Sequence, residues 1–185
     1  MTTALQDRKI DRAFGYLDVD DDGLIETEDV VNLGNRLVSA FGESLDSPKG
    51  KAVVDSFGRF WTTLLEVMEV DDDGMISPEE YRKGMTAAFI DGPDYDRVFR
   101  PAVEAVSRLC DTDDDGMINY EDFGHLHEAW GTGADEVDPS FRKIDTDEDG
   151  LISVDELVEA GRQYYLSDDP NATGNWLFGD VDADV

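Results

Sequence analysis

Apolar residues recur along most of the chain at the three- and four-residue spacing of amphipathic α-helices. One such stretch covers residues 3–17, and a second ends near Phe41. A longer stretch begins at Pro48, since proline is favoured in the first turn of a helix. Its apolar stripe consists of Val53, Val54, Phe57, Phe60, Trp61, Leu64, Leu65 and Met68. The pattern predicts an all-α fold.

The same periodicity continues through the second half of the chain. It predicts helices over residues 78–90, from there to residue 109, then to residue 130, and over residues 134–144 and 154–165. Pro101 lies within the second of these helices, so we expect it in the first turns or at a kink. Trp176, Leu177 and Phe178 follow the last helix. Large apolar side chains are rarely left together in water, so we expect this tail to fold back onto the helices.

Short acidic segments interrupt these helices, and residues 145–156 form the most regular of them. Carboxylates occupy positions 1, 3, 5 and 12 of this twelve-residue window, as Asp145, Asp147, Asp149 and Glu156. Gly150, at position 6, suits the sharp bend that such a loop requires. The acids can aim at one point, and calcium takes six to eight oxygens at about 2.3–2.6 Å. The segment therefore matches the calcium loop of an EF-hand.

Three further segments repeat this loop, which excludes a chance acidic turn as the explanation. Loops 1 to 4 cover residues 18–29, 69–80, 111–122 and 145–156. Position 6 is always glycine and position 8 always isoleucine: Gly23, Gly74, Gly116 and Gly150, with Ile25, Ile76, Ile118 and Ile152. A β-branched residue there favours a two-strand bridge between neighbouring loops. We therefore expect four EF-hands in two packed pairs, the first in residues 1–92 and the second, with the apolar tail, in residues 93–185.

Loops 1 and 3 differ from loop 4 at position 12, where Asp29 and Asp122 replace glutamate. Aspartate is one methylene shorter, so we expect it to offer the ion fewer oxygens and a smaller cage. Magnesium prefers such near-octahedral geometry. We therefore expect magnesium to compete with calcium mainly at loops 1 and 3, and loop 4 to be the most calcium-selective site.

Loop 2 departs from the pattern at position 1, where Glu69 replaces aspartate. The extra methylene pushes the carboxylate too far into a tightly turned site. The candidate ligands here are Glu69, Asp71, Asp73, the Met75 carbonyl and Glu80. Two interpretations stay open: loop 2 binds metal more weakly than loop 4, or it serves only as the structural partner of loop 1.

The formal net charge is -30, from 45 acidic and 15 basic residues. Such a charge argues against nucleic acid and anionic membranes as partners, and bound divalent cations would relieve the self-repulsion. The single cysteine, Cys110, cannot form an intrachain disulfide, and we expect it in the core. No signal peptide or membrane-spanning stretch is visible in the sequence. We therefore expect a monomeric, cytoplasmic protein.

With its loops placed, the chain resembles the calerythrin and sarcoplasmic calcium-binding protein family. The resemblance rests on the Met-Thr-Thr-Ala opening before a short first helix, the wide gap between loops 1 and 2, the weakened second loop, and the tail over residues 168–179. It implies a compact four-EF-hand fold with three occupied calcium sites and magnesium as a competing ion. Occupancy of a fourth site, in loop 2, is kept as an alternative. The ligands that it implies are Asp18, Asp20, Asp22, the Leu24 carbonyl, Glu26 and Asp29 in loop 1; Asp111, Asp113, Asp115, the Met117 carbonyl, Asn119 and Asp122 in loop 3; and Asp145, Asp147, Asp149, the Leu151 carbonyl, Ser153 and Glu156 in loop 4.

Three functions are compatible with these loops. A calcium and magnesium buffer or transporter is favoured, because only Met68 and Met85 lie on helices, too few for a methionine-rich target groove. A calcium sensor that regulates a partner protein is the alternative, with its target left open. A photoprotein-like or luciferin-binding role is disfavoured, since the only histidines, His125 and His127, lie two apart on a helix. No nucleophile–base pair, phosphate loop or zinc spacing is evident, so we do not expect an enzyme.

Overall fold

The computed structural model describes residues 2–68 and 74–181, and its described part is mainly helical. The α-helices are α1 (Ala4–Leu17), α2 (Thr27–Ala40), α3 (Pro48–Met68), α4 (Pro78–Gly84), α5 (Tyr95–Val98), α6 (Arg100–Cys110), α7 (Tyr120–Trp130), α8 (Val137–Ile144) and α9 (Val154–Leu166). A π-helix, Met85–Ile90, continues α4, and a 3-10 helix, Thr173–Trp176, follows α9. The strands are β1 (Met117–Ile118) and β2 (Ile152–Ser153). The predicted all-α class with short bridges is confirmed.

Most helix boundaries follow the sequence pattern, with departures at Phe99 and before loop 4. The stretch that ends in Cys110 is divided at Phe99 into α5 and α6, with Pro101 in the first turn of α6. Proline has no N–H to donate, so the first turn of a new helix is where it is tolerated. The helix before loop 4 begins at Val137, three residues later than the predicted start at residue 134.

Two antiparallel bridges pair the loops as predicted. Ile25 and Ile76 exchange both backbone hydrogen bonds, each with an N–O distance of 2.9 Å. In the second pair, Ile118 faces Ile152, and Met117 faces Ser153. The four isoleucine side chains are fully buried. Loop 1 is therefore joined to loop 2, and loop 3 to loop 4, through position 8 of each loop.

Helices from both pairs of hands share one core. Helix α3 packs against α6, and α2 packs against α7. Phe99 lies at the meeting point, with ring-centroid distances of 5.2 Å to Phe60 and 4.2 Å to Tyr165. A cavity of about 70 Å³ remains beside these rings and is lined almost entirely by apolar side chains. The metal loops thus lie on hands that pack against each other.

The tail after α9 folds back as predicted, and side chains of α1 hold it. Leu177 and Phe178 are buried and line the central cavity. The Arg12 guanidinium donates to the carbonyl oxygens of Phe178, at 3.0 Å, and Asp180, at 2.6 Å. The Tyr16 hydroxyl also donates to the Phe178 carbonyl, at 3.2 Å. The apolar tail is therefore fixed over the core by polar contacts to its backbone.

Helix α1 also caps the C-terminus of α9. The Lys9 ammonium donates to the carbonyls of Ser167, at 2.9 Å, and Gln163, at 3.4 Å. Burial lowers the pKa of Lys9 to about 8, although Asp168 and Asp169 oppose this shift. A cation is favoured at this end of a helix, where carbonyl oxygens lack partners within the helix.

Within residues 2–68 and 74–181, no helix is long and apolar enough to cross a membrane.

Candidate metal centres

Three groups of carboxylates converge in the described part of the chain, one in each of loops 1, 3 and 4. In each group, one oxygen of every member lies within 4.8 Å of one oxygen of every other member. The groups are Asp18, Asp20 and Asp22; Asp111, Asp113 and Asp115; and Asp145, Asp147 and Glu156. Oxygens at such spacing can serve a single divalent cation, because both calcium and magnesium bind oxygen ligands. Eight of these nine residues are aspartates at positions 1, 3 and 5 of their loops.

The loop backbone fixes the position-1 aspartate in the same way in all three loops. In loop 3, Asp111 Oδ1 accepts from the Asp115 amide at 3.0 Å, and Oδ2 accepts from the Gly116 amide at 2.9 Å. The corresponding pairs of distances are 3.1 and 3.0 Å in loop 1, and again 3.1 and 3.0 Å in loop 4. Gly116 has a φ of 87°, which a residue with a side chain rarely adopts. The glycine therefore turns its amide towards the first carboxylate.

Positions 3 and 5 are oriented by the next amides of the loop. Asp113 Oδ1 accepts from the Asp115 amide at 3.4 Å, and Asp115 Oδ1 accepts from the Met117 amide at 2.8 Å. Loops 1 and 4 repeat both contacts. The predicted carbonyl ligands are Leu24, Met117 and Leu151. The backbone amide of each donates to the position-5 carboxylate of its own loop. The three loops share one backbone scaffold.

Position 12 separates the fourth loop from the other two. In loop 4, Glu156 converges with Asp145 and Asp147, and the predicted ligand Asp149 lies outside this group. In loops 1 and 3, the position-12 residues Asp29 and Asp122 lie outside the groups. Asp122 Oδ2 accepts from the Thr112 hydroxyl at 2.9 Å and from the side-chain amide of Asn119 at 2.7 Å. Asp29 accepts from the backbone amides of Val19 and Glu26. This arrangement is consistent with the shorter reach of aspartate.

Positions 9 and 12 also form the start of the helix that leaves each loop. Ser153 is the N-cap of α9: its hydroxyl accepts from the Glu156 amide at 3.1 Å, and its own amide donates to Glu156 Oε2 at 2.9 Å. Asn119 caps α7 through the Asp122 amide at 3.0 Å. In such a capping arrangement two N–H groups without helical partners are satisfied. Predicted ligands at these positions therefore have a role in the helix as well.

Loop 2 is described only from Gly74 onwards. Ser77 caps α4, and Glu80 Oε2 accepts from the Ser77 amide at 2.9 Å and from its hydroxyl at 2.5 Å. Met75 precedes the bridging Ile76. The predicted ligands Glu69, Asp71 and Asp73 lie outside the described residues.

Local environment acts differently on the carboxylates of loops 1 and 4. Burial raises the pKa of Asp18, although the amides of Gly23 and Asp22 oppose the rise. Partial burial also acts to raise the pKa of Glu156, but hydrogen bonds from Thr146 and Ser153 outweigh it, and the pKa lies below its ordinary value. Hydrogen bonds to the charged form of an acid favour that form. Glu156 is thus held in the ionised state that metal binding requires.

The sequence pattern missed two kinds of residue at these loops. Threonine at position 2 of loops 3 and 4 contacts the position-12 acid, since the Thr146 hydroxyl donates to Glu156 Oε1 at 2.6 Å as Thr112 does to Asp122. Repetition of threonine at position 2 was an available signal. Lys49, on α3, also contacts loop 3, through the Asp111 carbonyl and the Asp114 carboxylate. Nothing in the loop sequence signals that contact.

Comparison with known proteins agrees with this geometry. The model of an EF-hand domain pair matches residues 108–161, and an EF-hand model matches residues 70–85. Calerythrin of Saccharopolyspora erythraea is 28% identical over 168 residues, which cover 90% of this chain and 95% of calerythrin. The chain also resembles a Streptomyces coelicolor calcium-binding protein described in prokaryotic calcium-mediated regulation, at 28% identity, a TM-score of 0.77, and coverage of 86% of this chain and 97% of that one.

More distant structures share the fold. A sarcoplasmic calcium-binding protein from amphioxus has a TM-score of 0.76 at 18% identity, with 96% of this chain and 98% of that chain covered. Photoprotein structures at 18–19% identity are similar in fold only. The expected resemblance is confirmed, since the sequence relative, the family models and the folds agree. The chain thus contains an EF-hand pair in residues 108–161 and is similar to calerythrin over 90% of its length.

Proposed function

We propose that this protein is a buffer or transporter of calcium, with magnesium as the competing ion. The observation that carries the proposal is the closed core. Met68 and Met85, the methionines on helices, are 7% and 0% exposed. The apolar faces of the hands pack against each other, and Leu177 and Phe178 of the tail cover the space between them. A buffer needs no apolar groove for a target, whereas a sensor exposes one on calcium binding.

The binding chemistry that we assign follows from the loops. In loops 1, 3 and 4, the carboxylates at positions 1, 3 and 5 supply charge, and the carbonyl at position 7 and the side chain at position 9 complete the oxygen set. These are the ligands named from the sequence, with Glu26, Asn119 and Ser153 at position 9. Glu156 supplies the additional arm in loop 4. We therefore assign three calcium sites, of which loop 4 is the most selective against magnesium.

Calorimetric titration of the metal-free protein with calcium, with and without millimolar magnesium, tests this proposal. We expect three sites, with two of them weakened by magnesium much more than the third. Absence of calcium binding would overturn the proposed function. Equal weakening of all three sites would overturn the assigned selectivity and leave the calcium-binding role intact.

A calcium sensor is the second candidate, and one observation favours it. The tail covers the apolar central cavity through Leu177 and Phe178, so its displacement would expose an apolar surface of the kind that a sensor presents. The 28% identical Streptomyces coelicolor protein is described in calcium-mediated regulation. Fluorescence of a dye that binds exposed apolar surface separates the two roles. A rise when calcium is added to the metal-free protein favours the sensor, and a fall favours the buffer.

A luciferin-binding role has the least support. The central cavity, at about 70 Å³, is small beside the roughly 300–1,000 Å³ of sites for drug-sized ligands. His127 is buried but does not line this cavity. We therefore expect no light emission when the calcium-loaded protein is incubated with coelenterazine.

A further inference from the structure

Loop 3 is in contact with a lysine from the other pair of hands. Lys49 is the second residue of α3, the helix that enters loop 2. Its ammonium lies 2.7 Å from Asp114 Oδ1 and also donates to the main-chain carbonyl of Asp111. The Lys49 side chain is only 21% exposed, so it is packed against the loop rather than extended into solvent.

Both groups that Lys49 contacts are outside the expected ligand set. Asp114 is at position 4, which supplies no ligand in an EF-hand loop, and Asp111 ligates through its side chain rather than its carbonyl. Lys49 therefore takes no oxygen away from the metal. Its charge is matched by that of Asp114, so the pair adds no net charge to the site.

The residue that pairs with Lys49 has a disfavoured backbone conformation. Asp114 has a φ of 61°, in the left-handed region that is disfavoured for residues other than glycine. Asp21 and Glu148, at the same position in loops 1 and 4, have φ values of 59° but no ion pair within the described residues. The left-handed turn is thus common to the three loops, and loop 3 is the one in which a lysine fastens it.

We infer that Lys49 is a positioning residue for the third metal site: it holds loop 3 in its binding conformation from the N-terminal pair of hands. The inference rests on the proposed calcium binding by loop 3. Metal binding must otherwise order the loop, and ordering backbone costs conformational entropy. A contact that fixes the loop beforehand strengthens binding without adding a ligand, and it links the third site to helix α3.

The test must remove the contact without changing the charge near the ion. Lys49→Met alone would leave Asp114 unpaired and attract calcium more strongly, which would mask the loss of positioning. The double variant Lys49→Met/Asp114→Asn removes one charge of each sign. The matched control is Lys51→Met/Asp46→Asn, a pair 3.9 Å apart near the same end of α3 whose side chains are 62% and 96% exposed. Lys49→Arg keeps the positive charge and serves as the conservative variant.

The three loops are followed separately by NMR through the amides of Gly23, Gly116 and Gly150, each of which donates to the position-1 aspartate of its own loop. In a calcium titration against a competing chelator, the Gly116 amide reports the calcium affinity of loop 3. We expect this affinity to be about 10-fold lower in the double variant, the lower end of the roughly 10–100-fold that outer-shell partners contribute. The calcium affinities of loops 1 and 4, reported by Gly23 and Gly150, should change by less than about twofold, because these loops do not share the contact.

The control pair should leave all three midpoints unchanged, and Lys49→Arg should retain most of the affinity at Gly116. An unchanged Gly116 midpoint in the double variant would overturn the inference, and so would equal shifts at all three glycines, which indicate general destabilisation. If the parent protein shows no calcium-dependent change of the Gly116 amide, loop 3 binds no calcium and the proposed function fails at this loop. Binding by the parent together with an unchanged double variant refutes only the role of Lys49.

Discussion

Loops 3 and 4 share a backbone scaffold and differ in the reach of one side chain. Both hold their position-1 aspartate with two amides, and both carry threonine at position 2. Both position-12 acids accept from the threonine at position 2 and the residue at position 9, but only Glu156 also converges with the carboxylates at positions 1 and 3 of its loop. The scaffold therefore sets where the acids at positions 1 and 3 point, and the longer side chain at position 12 of loop 4 allows Glu156 to converge with them.

Removal of the charge at Glu156 should have the largest effect on the difference between loops 3 and 4. For Glu156→Gln, we expect calcium affinity at loop 4 to fall by at least about 100-fold, because even outer-shell partners contribute roughly 10–100-fold. Asp155→Asn is the control, since it changes the same charge on the exposed neighbour. The Gly150 amide reports loop 4 in both variants. A loss no larger than that of the control would mean that Glu156 is not a ligand.

The two hands also differ in the helix that follows the loop. His127, on α7, is 1% exposed, and Gly161 lies as far beyond loop 4 as His127 lies beyond loop 3. Burial lowers the pKa of His127 from 6.5 to about 4, the charge of Arg12 acts in the same direction, and the backbone of Leu177 opposes them. The third hand thus contains an imidazole that the fold keeps neutral.

This imidazole should make the protein sensitive to mild acid. Between pH 6.5 and about 4 the unfolded chain binds a proton that the folded chain does not, so stability falls as the pH drops through that window. At pH 5 the loss from this group amounts to about 2 kcal/mol. Urea unfolding of the metal-free protein and of His127→Phe at pH 7 and pH 5 measures it. Parallel losses in the two proteins would show that His127 does not contribute.

The smallest expected effect comes from lengthening the arm of loop 3. For Asp122→Glu, we expect calcium affinity at loop 3 to rise about 10-fold, or roughly 1.4 kcal/mol, and magnesium competition to weaken. The reciprocal variant Glu156→Asp should bring loop 4 closer to loop 3. Calorimetric calcium titration at millimolar magnesium measures both. Unchanged magnesium competition in Asp122→Glu would contradict the assignment of selectivity to position 12.

Local pattern was sufficient for much of the fold and of the metal loops. Carboxylates at positions 1, 3 and 5 with glycine at position 6 located the converging groups of loops 1 and 3, and those at positions 1, 3 and 12 located the group of loop 4. The loop itself supplies the amides that orient the first carboxylate. The repeated isoleucine at position 8 likewise identified both bridges. Each of these features depends on residues within one twelve-residue segment or on its repetition.

Features that depend on distant pairs could not be predicted in this way. Lys49 and Asp111 are 62 residues apart, and nothing in either segment specifies the other. The contacts of Asp122 with Thr112 and Asn119 lie within loop 3, but the spacing of the carboxylates alone did not indicate them. The helix predicted over residues 78–90 is π-helical from Met85 to Ile90. The apolar periodicity did not indicate this change of helix type.

The contacts of α1 have a consequence for synthesis of the chain. This helix leads into loop 1, yet its Gln6 and Arg12 side chains donate to carbonyls of Leu166 and Phe178, which lie 160 and 166 residues further along. A ribosome releases the first hand long before it has made these partners. The helix that enters the first metal loop is thus among the first segments to be translated and among the last to complete its native contacts.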